Sequence, residues 1–158
     1  MNRFLISFTI IAIATGCYSP YANESLTVKP KGEDVVGDYE FDFQSVDYSL
    51  DKEELRKGRL LVNKDGTFRI VDLPAFETIK PMRHKFGKQI SLSGKWTIEK
   101  IGAIDFGSGG LKDHWGLILD SAPDELRYAG LMGAEKPTGI MFTFGDPDSG
   151  EVMVMKKK

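Results

Sequence analysis

The stretch QISLSGKWTIEKI, Gln89 to Ile101, decides the fold. Ile90, Leu92, Trp96 and Ile98 alternate with Ser91, Ser93, Lys95, Thr97 and Glu99. A period of two puts the two sets on opposite faces of an extended chain, so this segment reads as a strand with one face on a core and one in water. The same period recurs on either side of it. Tyr39, Phe41 and Phe43 alternate with Glu40, Asp42 and Gln44; beyond Gln44 the apolar phase slips to Val46, Tyr48 and Leu50, which predicts a bulge or bend near Ser45. Gly58 to Val62 and Thr67 to Val71 flank Asn63-Lys64-Asp65-Gly66, where Asp-Gly supplies the positive φ that a hairpin turn needs.

Four more strands are predicted over Trp115 to Leu119, Leu126 to Met132, Gly139 to Phe144 and Glu151 to Met155. They are joined by turn chemistry at Ser121-Ala122-Pro123-Asp124, at Ala134-Glu135-Lys136-Pro137 and at Asp146-Pro147-Asp148-Ser149-Gly150. The single helical candidate is Leu50 to Lys57, with Asp51 as its cap and Glu53 and Glu54 near its start. The expected fold is therefore all-β, an antiparallel meander of about eight strands. Closing it into a barrel removes both exposed edges and leaves an interior that is either filled by side chains or holds one small ligand.

Three short motifs carry a resemblance. Gly37-Asp38-Tyr39 opens the first strand, Leu60-Leu61-Val62-Asn63-Lys64-Asp65-Gly66-Thr67-Phe68 forms the hairpin, and Gly94-Lys95-Trp96 opens a later strand. Together they resemble the pattern of lipocalin-like small β-barrels found in bacterial envelope lipoproteins, over the first half of the folded body. The resemblance implies a barrel with a binding or structural role and no particular reaction, because fold does not dictate function.

The first seventeen residues read as an address. One positive charge at Arg3, an apolar run from Phe4 to Ala14, and Thr15 and Gly16 before Cys17 have the layout of a secretory signal, too short to span a membrane. Ala14-Thr15-Gly16-Cys17 resembles a bacterial lipobox, which implies acylation of Cys17, with palmitate among the chains, as the mature N-terminus. The other reading is ordinary cleavage after Gly16, leaving a free thiol. Tyr18, where Asp would signal inner-membrane retention, favours the outer membrane. Cys17 is the single cysteine, so no internal disulfide forms. The expected organisation is a signal over residues 1–16, a lipidated cysteine and flexible tether over 17–33, and one β-barrel domain over 34–158.

Removing Arg3 takes the formal net charge of the 158-residue chain from −2 to −3, and no basic stripe marks a nucleic-acid partner. Catalytic patterns are sparse. His84 and His114 stand in no metal-ligand spacing, and a zinc site would need distant carboxylates. Phe106-Gly107-Ser108-Gly109-Gly110 lacks the glycine positions of a nucleophile elbow and reads as a flexible loop. Asp146 to Glu151 concentrates carboxylates, but a tight hairpin accounts for every residue. No cofactor or metal is implied, and the chain leans away from enzymatic function.

The candidate sites follow from the barrel reading. Trp96, Trp115, Phe142, Phe144 and Met153 are the candidate lining of an interior ligand site. Arg83, His84, Lys85 and Phe86 lie in the one conspicuous charge cluster, Lys80 to Lys88, read as a loop at the barrel rim that meets an acidic partner or anionic headgroups, or is simply solvated. Met132, Met141, Met153 and Met155 stand near the end of the chain, where Glu151 to Met155 is apolar on both faces; one face packs the barrel, and the other is covered by the tether or the helical turn or is free to dock. Lys156 to Lys158 reads as a solubilising tail. The leading expectation is a non-catalytic envelope lipoprotein, anchored through Cys17, that binds a small apolar or peptide-like ligand. The alternative is a periplasmic inhibitor or immunity protein that neutralises a toxin or hydrolase by protein–protein binding.

Overall fold

The computed structural model describes residues 21–46, 55–80, 83–145 and 150–158, and the backbone alone of residues 77–80 and 83–84. Eight antiparallel strands run in chain order: β1 (Gly37–Gln44), β2 (Arg59–Val62), β3 (Thr67–Lys80), β4 (Arg83–Asp105), β5 (Leu111–Leu119), β6 (Tyr128–Met132), β7 (Gly139–Thr143) and β8 (Val152–Lys157). Each pairs with its neighbour, and β8 pairs back with β1, so the meander forms a ring. Among the described residues the helices are short: α1 (Gly32–Val35) precedes β1 and α2 (Asp124–Arg127) precedes β6.

Alternation explains the inside of the ring. Tyr39, Leu60, Phe68, Ile70, Leu117 and Phe142 are fully buried in one cluster, on the parity that the strand periods assign inward. Phe76 stacks on Phe144 with ring centroids 3.7 Å apart and tilts against Phe86 at 4.6 Å. Of the two interiors open to an eight-stranded ring, the side-chain-packed one describes these positions.

The Gly94-Lys95-Trp96 motif grips the first hairpin. Gly94 pairs with Phe68, and a Cβ there would stand 2.8 Å from the Phe68 ring and overlap the Asp120 carbonyl. Two residues on, the Trp96 backbone N–H donates to the Gly66 carbonyl at 2.9 Å and its indole N–H donates to the Asn63 carbonyl at 3.0 Å. The turn itself has Gly66 at φ 84° and the Asp65 carboxylate accepting from both the Thr67 N–H and hydroxyl.

Several expectations are corrected. The Lys80–Lys88 segment is mostly strand: Lys80 ends β3 and Arg83 to Lys88 belong to β4, with Phe76 opposite Phe86 and Lys80 opposite Arg83, while residues 81–82 lie outside the described ones. The chain bends at Ser45 and Val46 as expected, and β1 carries a further register shift against β8 between Phe41 and Phe43, with Phe43 44 % exposed. Lys156 and Lys157 are no loose tail; they are in β8, where Lys156 pairs with Asp42 at 3.0 Å and Lys157 donates to the Asp34 carbonyl. Gly107–Gly109 is a 3₁₀ turn, with Gly107 at φ 62° and Gly110 at φ 72°. Most of the helical candidate Leu50 to Lys57 and the turn residues 146–149 lie outside the described residues.

The largest correction concerns the tether. From residue 21 onward the chain is packed on the barrel. A 3₁₀ turn at Ala22–Glu24 leads to Ser25, which bridges Met132. The Leu26 N–H donates to the Leu131 carbonyl at 2.8 Å, and the Leu26 carbonyl accepts from the Trp115 N–H at 3.1 Å. The segment thus fills the gap where β5 and β6 diverge, a seam of three paired positions from Gly116–Gly130 to Ile118–Tyr128. Leu26 and Val35 are fully buried in the main core, and the buried Tyr39 hydroxyl donates to the Val35 carbonyl at 2.6 Å. A two-residue bridge carries no periodicity, so composition alone had no means of revealing it.

An outer-face recess around His114

The outer face of β6, β7 and β8 is not bare. Met132, Met141, Val152 and Val154 form a second buried cluster on it, and Tyr21 of the N-terminal segment packs against them. This accounts for β8 being apolar on both faces: Met153 and Met155 point into the ring, Val152 and Val154 out of it.

Beside this cluster the far half of the β4–β5 hairpin leaves the ring. Ile101 shares the outward parity of Thr97 and Glu99, and it is the unpaired residue at a register shift between Lys100 and Gly102. Two glycines make room there. Gly116 and Gly130 are directly opposite in the β5–β6 register. A Cβ on Gly116 would lie 2.5 Å from Ile101 Cδ1, and one on Gly130 would lie 2.8 Å from His114 Cε1. The glycine pair therefore forms a shallow trough in which the Ile101 and His114 side chains lie flat.

Between the arched hairpin and the outer sheet face is a recess of about 490 Å³. Ile101 to Asp105 and Leu111 wall one side, Gly130, Met141, Thr143 and Val152 the other, and Tyr21 and Ser25 close one end. Leu111, 74 % exposed, and Tyr128, 55 % exposed, stand at the rim. His114 is the ionisable group lying against the floor. Burial pushes its pKa below 6.5, partly offset by a hydrogen bond with the Leu131 backbone, so the ring is neutral at pH 7. Its Nε2 is shut off from solvent and has no hydrogen-bond partner among the described residues. An unsatisfied buried nitrogen of this kind calls for a physical account.

The residues singled out from the sequence lie elsewhere. Phe142, Phe144 and Met153 are fully buried in the ring, packed as core. Trp96 is half-buried against that core and held to the hairpin turn. Trp115 is half-buried, with Lys29 Nζ 5.0 Å from its ring centroid. None of the five lines the recess. Among the partner candidates, Phe86 is a core residue, 9 % exposed, and Lys85 is exposed. Arg83 and His84 open β4, and their side chains lie outside the description. Of the residues around the recess, His114 stands in no metal-ligand spacing, and the sequence signal for the site is Gly116 and Gly130, since a glycine inside an otherwise apolar strand marks a close approach. Among the described residues no group of three His, Cys, Asp or Glu side chains is placed to hold a metal ion. No protein-family model, no curated protein and no solved structure matches the chain.

Proposed function

We propose that this chain is a lipocalin-like envelope lipoprotein, anchored through acyl chains on Cys17, that works as a non-catalytic binding module for a small, largely apolar ligand held in the outer-face recess. The observation that carries this reading is a cavity of about 490 Å³ whose lining mixes apolar side chains such as Ile101, Met141 and Val152 with polar ones such as Ser25, Asp105 and Thr143. Its volume falls within the roughly 300–1,000 Å³ of small-molecule sites. The position of the recess supports an envelope role. Tyr21 lines it and follows Cys17 by four residues, a span of at most about 14 Å in an extended chain. An acylated Cys17 would hold the recess close to the bilayer, with Leu111 and Tyr128 exposed at its mouth.

The test is native mass spectrometry of the protein extracted gently from its own membrane, beside a Thr143→Arg variant that fills the recess from the outer face of β7. A co-purifying small mass, present in the first and lost in the second, is the expected result. No small adduct, or one retained in the variant, refutes the assignment. A stoichiometric protein adduct in its place would point to an inhibitor or immunity role. Palmitate labelling that disappears in Cys17→Ser checks the anchor independently.

A further inference from the structure

We propose that the outer face around the recess is a membrane contact, and that the folded body rests on a lipid bilayer through Leu111, Tyr128 and Phe43. This rests on the reading of Cys17 as an acylated anchor and adds where the body meets the lipid. It does not depend on the recess holding a ligand.

Exposed large hydrophobic side chains are few among the described residues: Val28, Phe43, Leu111 and Tyr128. Three of them stand around one face. Leu111 and Tyr128 line the recess. Phe43 is opposite Val154, and directly opposite residues share a face, so Phe43 extends the outer cluster of Met132, Met141, Val152 and Val154 onto β1. Large apolar side chains gathered on one side of a folded body mark an interaction surface.

Two observations say what covers it. Tyr21 packs against the same cluster and lines the same recess, so the chain outside the described residues joins the body on this face. Cys17 is four residues earlier, at most about 14 Å of extended chain, so acyl chains on it draw this face toward the bilayer. The charges on the strands that carry the patch also balance: Lys156 pairs with Asp42 at 3.0 Å and Lys100 with Asp113 at 2.6 Å. No excess of one sign invites an oppositely charged protein, and apolar area drives the contact. The Tyr128 hydroxyl and the exposed Lys112 beside Leu111 suit the headgroup level, where an apolar body carries a polar tip.

An acylated Cys17 leaves no free thiol in the chain, so a nitroxide can be placed on one engineered cysteine at a time. Leu111→Cys and Phe43→Cys report on the face. Arg69→Cys is the control, exposed on β3 and four strands round the ring from β7. Power-saturation EPR of the mature acylated protein in phosphatidylcholine vesicles compares collisions with oxygen, which dissolves in lipid, and with a water-soluble nickel chelate. The labels replacing Leu111 and Phe43 should favour oxygen, and the label replacing Arg69 the chelate. All three labels favouring the chelate overturns the proposal, because the acyl chains then hold the body clear of the bilayer. Face labels shielded from both reagents overturn it as well and point to a protein partner or a second copy on this face. If mass spectrometry finds no acyl group on Cys17, the anchor reading fails by itself, and sedimentation of the unacylated mature chain with the same vesicles decides the contact. There Leu111→Asp should weaken binding at least about tenfold. No binding, or binding that Leu111→Asp leaves unchanged, overturns the proposal in that case.

Discussion

Leu26→Ala tests whether residues 21–36 belong to the folded body. Leu26 is fully buried in the main core, and its N–H and carbonyl are tied to Leu131 and Trp115 on two different strands. Those backbone bonds keep the vacated space from collapsing, so the substitution loses the transfer free energy of the missing atoms and leaves a cavity as well. The expected loss is about 3 kcal/mol. For a domain of this length that lowers Tm by about 10 °C. Urea denaturation should show a lower midpoint with an unchanged slope, which places the effect in the native state. Val28→Ala, two residues along and 58 % exposed, is the internal control and should fall within about 0.5 kcal/mol of the parent. If Leu26→Ala is as mild as Val28→Ala, the segment is a tether and the seam between β5 and β6 is closed by something else.

Other consequences can be measured in the same way. Gly94→Ala should destabilise by about 2 kcal/mol in urea, since its Cβ would press on the Asp120 carbonyl and the Phe68 ring; a neutral effect would show that the strand relaxes freely there. The hydrogen bond from Lys136, helped by the Lys31 backbone N–H, holds the Asp34 carboxyl below 3.8. Its contribution is complete above the ordinary carboxylate range and is lost as pH falls through the depressed folded value, so Asp34→Asn should flatten the acid limb of urea midpoint against pH. Parallel acid limbs in the two proteins would contradict the pairing. His114 is depressed by burial, so the unfolded chain binds a proton before the folded one does, and stability should fall as pH drops below 6.5 toward the folded value. A His114 NMR titration midpoint at or above 6.5 would show that the ring is not buried as described.

What was legible in the sequence was whatever repeats along the chain. The two-residue period of Gln89–Ile101 and of Tyr39–Phe43 identified strands, and Asn63-Lys64-Asp65-Gly66 located the β2–β3 hairpin, because alternation and turn conformation are properties of neighbouring residues. Phe86 was misplaced for the complementary reason: four cations around it outweighed a parity that puts it opposite Phe76 in the core.

The sequence by itself determined that the chain is all-β, about how many strands it has, and which parity of the clearest alternating strands faces inward, since these follow from side-chain period and turn chemistry within a few residues. The tertiary structure alone decided where the recess lies. That site needs the β5–β6 register that sets Gly116 opposite Gly130, the β4–β5 register that lays Ile101 over Gly116, and Tyr21 packed against β6, β7 and β8 from the far end of the chain. Each is a pairing between segments distant in sequence. Register and docking are set by how whole faces pack together, and no local pattern of residues records them.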